Sequence, residues 1–231
     1  MQPDFWITRW ERGETGFHQD EVNPWLREYW PRLHAPAAQR VFVPLCGKSL
    51  DMWWLRQQGF GVLGVELSQQ AVEAFFAEAG NTPAITHEAS LERFESGDVA
   101  LLCGDFFALR PQQVAGCAAI YDRASLIALP PSMRQDYAAH LSTLFPLGAR
   151  MLLVTLDYPQ HEMEGPPFAV SSQDLERYFG ASHRIERLAV CDALITNPVF
   201  RERGLTKMDE MVFALRPRGS SPEPQRRMPR Q

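Results

Sequence analysis

Long apolar runs are missing from this sequence. No window approaches the ~18 uncharged apolar residues that a membrane-spanning helix needs, and the first residues lack the apolar core of a secretory signal. The expectation is a cytoplasmic chain with no membrane partner. Cysteine is also scarce. The four present, Cys46, Cys103, Cys117 and Cys191, show no C-x-x-C spacing and no accompanying His cluster. That pattern argues against a disulfide framework or a zinc site, so no metal is expected. Positive charge is short as well. A net charge of −5 speaks against a nucleic-acid partner. The deficit is uneven, because Arg216 to Gln231 holds five Arg and one Glu. That end, RPRGSSPEPQRRMPRQ, has almost nothing apolar to bury, so residues 217–231 are expected to be a disordered basic tail. The 216 residues ahead of it suit one domain, and 45% hydrophobic with 22% charged residues is the balance of a globular protein.

What is present centres on RVFVPLCGKSLDMWWLRQQGFGVLGVELS, Arg40 to Ser68. Val41-Phe42-Val43 reads as a buried strand that Pro44 ends, having no N–H for a sheet ladder. Gly47 permits a tight turn, and Lys48 to Gln58 reads as a helix that Gly59 and Gly61 close. Its N-terminus would offer free N–H groups to a ligand. A second strand, Val62 to Val65, ends in Glu66, nineteen residues after Gly47. A carboxylate there can accept both hydrogen bonds of a ribose diol. The same spacing also suits a plain α/β unit with an acid at a strand end.

A dinucleotide site needs G-x-G-x-x-G, and only Gly47 is present, which removes the support for a nicotinamide oxidoreductase. A P-loop needs G-x-x-x-x-G-K-[ST]. Gly47-Lys48-Ser49 supplies its end, but Phe42 stands where its first Gly belongs. A ribose-bearing ligand without a pyrophosphate remains, and S-adenosylmethionine (SAM) fits. Cys46 lies in the same turn with no base evident beside it, so close backbone approach explains it better than nucleophilic catalysis does.

Further along, Ser68 suits an N-cap for a helix to Ala79. Ala84 to Phe107 should hold two or three strands, with a hairpin at Ser96-Gly97-Asp98. Asp105, after Val99 to Cys103, is either a helix-start acid or the group that meets the adenine ring. Ala118 to Tyr121 is another buried strand, ending at Asp122-Arg123, where the crevice of an open α/β sheet lies. These two charges either form a network that shapes the loop or serve the ligand. Pro131 to Phe145 reads as a helix and Arg150 to Leu156 as a strand. Tyr158 to Val170 is a loop long enough to be functional. A helix at Ser172 to Phe179 and strands near Arg184 to Val190 and Glu210 to Leu215 complete the chain. Near its start, Trp6 and Trp10 share a helical face. They either pack on the sheet or form a lid whose indole covers a sulfonium.

The strings Val41 to Ser49 and Val65 to Ser68 together resemble the thiopurine S-methyltransferase family in its bacterial form. Gly16-Phe17-His18-Gln19, Tyr121 to Leu126 and Gly165-Pro166-Pro167-Phe168 extend the likeness over roughly residues 4 to 215. The resemblance implies a class I SAM-dependent methyltransferase (Rossmann-like) α/β fold. Its sheet would have seven strands, mostly parallel with the last antiparallel, helices on both faces, and residues 1–35 as a helical lid. It implies cofactor contacts at Trp10 and Arg123, to which the turn and strand ends add Leu45, Glu66 and, on one of its two readings, Asp105. Phe17 and Arg203 would face the acceptor, with Arg201 a rival to Arg203. The implied activity is S-methylation of small aromatic thiols by a monomer, with selenium or tellurium compounds as other acceptors. Methyl transfer is an in-line displacement in which positioning does most of the work, so no catalytic triad is expected. Arg123 would orient the nucleophile. A non-catalytic SAM-binding regulator is the alternative, supported only by the basic tail.

Overall fold

The computed structural model describes residues 3–16 and 18–219. Helices α1 (Pro3–Glu11) and α2 (Pro24–Leu33) precede strand β1 (Arg40–Val43). Asn23 caps α2, accepting the Trp25 and Leu26 N–H groups on its side chain, with Pro24 pre-set in the first turn. Helix α3 (Asp51–Gln57), strand β2 (Gly61–Glu66) and helix α4 (Gln69–Glu78) follow. Ser68 caps α4 through the Ala71 N–H, as its position before the apolar run suggested. Strands β3 (Ala84–Glu88), β4 (Leu91–Ser96), β5 (Val99–Cys103) and β6 (Cys117–Arg123) come next. They are followed by α5 (Pro131–Leu144), β7 (Arg150–Asp157), α6 (Ser172–Phe179) and β8 (His183–Asp192). The short helices α7 (Ala193–Thr196) and α8 (Pro198–Glu202) lead into β9 (Asp209–Pro217).

The nine strands among the described residues form one sheet in the order β3-β4-β5-β2-β1-β6-β7-β9-β8. The five central strands, β5 to β7 across the sheet, run parallel, and β9 runs antiparallel between β7 and β8. The expected seven strands are all there, including the antiparallel last one. The count rises to nine because the hairpin β3–β4 joins the sheet at the free edge of β5. Gly97, at φ 60, makes its tight turn into β5. Arg93 pairs with both Glu88 and Glu95 along the added edge.

Alternating residues of the strands face two separate cores. On one face Val41, Val43, Val62, Leu101 and Tyr121 meet α2, α3 and α4 through Trp30, Leu55 and Phe75. On the other, Phe42, Leu63, Val65, Ile120 and Leu153 meet α5 and α6 through Tyr137, Leu141 and Phe179. The central strands are thus buried on both sides, while the edge strands β3 and β8 stay largely exposed, and the connections cross at the ends of the sheet. From β1 the chain moves outward through β2 to β5, then returns across to β6. The carboxyl ends of β1, β2 and β6 therefore line the crevice where the strand order reverses. Among the described residues no helix is long and apolar enough to cross a membrane.

Candidate active site

Everything at this crevice starts from a backbone held in a rare shape. Leu45 sits at φ 44 and Gly47 at φ 52, immediately after β1, while Ala124 sits at φ 65, immediately after Arg123. Left-handed backbone is costly for residues with a Cβ and persists only where surrounding contacts hold it. The contacts are present here. Cys46 N–H donates to the Val65 carbonyl at 2.9 Å, and Ser125 Oγ donates to the Pro44 carbonyl at 2.6 Å. The turns after β1 and β6 are thereby stitched to each other and to β2.

Glu66 closes the turn from below. Its Oε2 accepts the Gly47 N–H at 2.8 Å and its Oε1 accepts the Ser68 N–H at 2.8 Å. A carboxylate offers about four acceptor sites, so Glu66 keeps acceptor capacity for a ligand. Burial pushes the Glu66 carboxyl pKa up, opposed by the backbone N–H groups of Ser68, Gly47 and Leu67. From above, the Trp10 indole lies 3.2 Å from where a Gly47 Cβ would sit. Trp10 is buried, and α1 rests against α4. The two readings of the N-terminal aromatics thus divide by helix: the buried Trp30 and Tyr29 of α2 pack on the sheet, and Trp10 of α1 covers the turn.

The helix after the turn differs from expectation. It begins at Asp51, because Lys48 to Leu50 stay in a turn anchored by Ser49 N–H on the Cys46 carbonyl. At seven residues it offers no N-terminal N–H cradle, and the Gly47 N–H is spent on Glu66. Its buried side is Asp51, Met52 and Leu55, while Leu50 and Trp54 are half-buried. Cys46 is buried, and burial pushes its thiol pKa well up, which removes it as a nucleophile. It packs on Gly64 instead: a Cβ there would meet Cys46 Sγ at 2.7 Å and Leu101 Cγ at 3.1 Å. Gly64→Ala should therefore cost about 1–3 kcal/mol by overpacking, read as a lower denaturation midpoint. An unchanged midpoint would mean that the turn is free to shift.

Arg123 does not pair with Asp122. Its Nε donates to Asp51 Oδ2 at 3.0 Å, and Tyr121 Oη donates to the same oxygen at 2.9 Å. Asp51 Oδ1 accepts the Asn23 N–H at 2.8 Å. Asp51 is 1% exposed. Asp122 points to the other face, where it accepts the Tyr137 hydroxyl at 2.7 Å and the Leu126 N–H at 3.2 Å. Burial raises its pKa to about 6. A folded-state value above the ordinary carboxylate range favours the protonated form on folding. Its contribution is therefore greatest below about pH 4 and is lost as pH rises to about 6. Asp122→Asn should flatten the wild-type decline in stability across that window, measured by denaturant unfolding at several pH values. Parallel wild-type and variant curves would contradict it.

Three of the other predicted residues, Asp105, Arg203 and Arg201, are among the described residues. Asp105 follows β5, whose Cys103 is in register with Glu66. It is exposed and caps a 3-10 turn at Phe106–Ala108, accepting the Phe107 N–H at 2.9 Å. Arg203 is exposed at the end of α8, its guanidinium over the Phe200 ring at 5.9 Å. Neither it nor the exposed Arg201 touches the turn. The loop from Tyr158 to Val170 does reach the crevice segment, since Phe168 N–H donates to the Ile127 carbonyl at 2.7 Å. Glu162 then accepts both the Thr206 N–H, at 2.8 Å, and its hydroxyl, at 2.7 Å, tying that loop to the connection between α8 and β9. Phe17 lies outside the described residues, as does the tail beyond Gly219.

Two residues escaped the sequence reading. Asp51 carried no local signal, because its partners are 28 to 72 positions away. His18 is half-buried, and its pKa is lowered by burial and by the charges of Lys48 and Arg123, against Asp20 and Glu78. It is a neutral hydrogen-bonding group at neutral pH, and its place in the Gly16 to Gln19 string was the only pointer to it.

Comparison with known proteins bears on the whole chain. A family model described as thiopurine S-methyltransferase matches residues 1–218. A thiopurine S-methyltransferase of Nitrosospira multiformis is 49% identical over 215 residues, covering 93% of this chain and 98% of that one. One from Pseudomonas paraeruginosa is 51% identical over 215 residues, covering 93% and 99%. Among solved structures, a SAM-dependent methyltransferase from Anabaena variabilis superposes with a TM-score of 0.62 at 16% identity, covering 94% of this chain and 95% of that one. That likeness is one of fold. A match that runs the length of the chain, with about half the residues shared and the turn, strand-end acid and Asp-Arg pair all inside it, shows that this chain belongs to the thiopurine S-methyltransferase family.

Proposed function

We propose that the protein transfers the methyl group of SAM to small heterocyclic thiols, thiopurines among them, working as a monomer in the cytoplasm. The observation that carries this reading is Glu66. It is anchored by two backbone N–H groups at the end of β2, beneath a Gly47 turn that the Trp10 indole covers, and it keeps acceptor capacity for a ribose diol. Those residues fit the donor. When bound, SAM supplies a methyl group activated on a sulfonium.

The chain's own residues do the rest by positioning. Glu66 would take the ribose hydroxyls, and the backbone at Leu45 and Gly47 would approach the ligand closely. Trp10 would cover the charged end with its ring face, as part of a lid formed by residues 1–35. Asp105, with the apolar wall around it, would meet the base. Arg123, whose guanidinium has no second carboxylate partner among the described residues, would hold the thiolate in line. Such a thiol is acidic enough to lose its proton without a strong base. Phe17 and Arg203 would shape the acceptor pocket, with the 158–170 loop as its wall.

The test is calorimetric titration with S-adenosylhomocysteine, with NADH as the control, followed by methylation assays on a thiopurine and on selenite. Binding of the first ligand only, with turnover on the thiol, is the expected result. No binding of S-adenosylhomocysteine would sink the reading, and turnover on selenite alone would overturn the acceptor assignment.

A further inference from the structure

The feature that positioning alone does not explain is the charge of Asp51. It receives three donors from two separate parts of the fold, the Asn23 N–H at the cap of α2 and the Tyr121 and Arg123 side chains on β6. Tyr121 and Arg123 are two apart on one strand and so present to the same face, while Asp122 between them turns to the opposite core. Asp51 is therefore the one carboxylate in contact with Arg123 among the described residues. Lys48, the other cation near the turn, is paired with Glu78. A buried ion pair is weak as a device for stability, since apolar side chains of similar size do that job as well or better. Its persistence here points to a use for the charge itself.

That use follows from the reaction proposed above, on which this inference rests. The donor is a cation at sulfur. On transfer the donor sulfur keeps the electron pair of its breaking C–S bond and becomes a neutral thioether. The thiolate, in turn, spends a pair on the new S–C bond. A bare guanidinium suits the incoming thiolate but repels the sulfonium that must arrive first. A guanidinium whose charge is offset by a fixed carboxylate behind it can serve both. We propose that Asp51 sets the charge of the donor pocket: it orients the Arg123 guanidinium through Nε and cancels its net charge, so that a cationic methyl donor binds beside it. Asp51 touches neither ligand and is a positioning residue. Through Asn23 it also ties the start of α2 to this arrangement.

SAM and S-adenosylhomocysteine differ only at sulfur, by one methyl group and one positive charge, so the ratio of their dissociation constants reads the pocket's charge. Titrations of both ligands are made on the wild type, Asp51→Asn, Arg123→Gln and the double variant, at one ionic strength, with thermal unfolding as the folding check. Asp51→Asn is expected to raise the ratio of the SAM to the S-adenosylhomocysteine constant about tenfold, equivalent to about 1.4 kcal/mol. Arg123→Gln, which leaves Asp51 two of its three donors, should lower it by a similar factor, and the double variant should return to within about threefold of the wild type. A purely structural role for Asp51 would weaken both ligands alike and leave the ratio unmoved. Should Asp51→Asn fail to fold, Arg123→Gln decides alone, and a ratio that does not fall overturns the proposal. S-adenosylhomocysteine binding with ratios unmoved in the folded variants refutes this inference and leaves the methyltransferase reading standing. Failure of the wild type to bind S-adenosylhomocysteine removes both.

Discussion

Glu66→Ala is expected to weaken S-adenosylhomocysteine binding by about a hundredfold. Hydrogen bonds to a charged acceptor contribute about 1.5–3 kcal/mol each, and a ribose diol would make two of them to this carboxylate. At 1.4 kcal/mol per tenfold, losing both accounts for two decades. The variant also strands the Gly47 and Ser68 N–H groups that Glu66 now holds, which loosens the turn and adds to the loss. Glu66→Gln separates the contributions. It keeps the size of the side chain but offers an amide nitrogen where one oxygen now accepts, so its loss should be nearer tenfold. Calorimetric titration reads both. Affinity within threefold of wild type in Glu66→Ala would show that the ribose is held elsewhere.

The second large effect is on turnover. Arg123→Ala should lower methylation of a thiopurine by at least tenfold, about 1.4 kcal/mol of transition-state stabilisation. The physical reason is geometric. The guanidinium is a planar fork that can give Nε to Asp51 and still present its two terminal nitrogens to a second group. A lysine has one charged centre and must choose, so Arg123→Lys is expected to stay within about threefold of the alanine variant. Steady-state assays at saturating donor test this, and full activity in Arg123→Lys would reduce the role of Arg123 to that of a point charge. A protein that only binds the donor would have no turnover to lose, so the same assay separates enzyme from regulator.

Local chemistry made much of this fold legible. The strand ended by Pro44, the turn at Gly47, the cap at Ser68 and the acid at Glu66 depend on residues a few positions apart, and each stands where spacing put it. The hairpin at Gly97 was equally local. The seven-strand expectation left out β3 and β4, ahead of that turn, because the resemblance describes the shared sheet and not what joins its edge. The start of α3 was misplaced because Lys48 and Ser49 are compatible with a helix, and only the tertiary hold on Cys46 keeps them out of one. The partner of Arg123 was harder still. Adjacent charges suggested an Asp122–Arg123 pair, but neighbours on a strand point to opposite faces, and the true partner is 72 positions away. For Asp105 the structure shows the capping role directly, which leaves its second oxygen as the candidate for a base contact.

The clasp between Glu162 and Thr206 has an evolutionary and practical corollary. It joins the 158–170 loop to the connection between α8 and β9, at the same carboxyl end of the sheet as Glu66 but on the far side of β1 and β6, and borrows nothing from the turn that would hold the donor. In the proposed reading, the acceptor wall is thus a detachable module. Related chains can recast those two segments together, and an engineer can graft them as a pair, to change which thiol is methylated while leaving donor recognition intact.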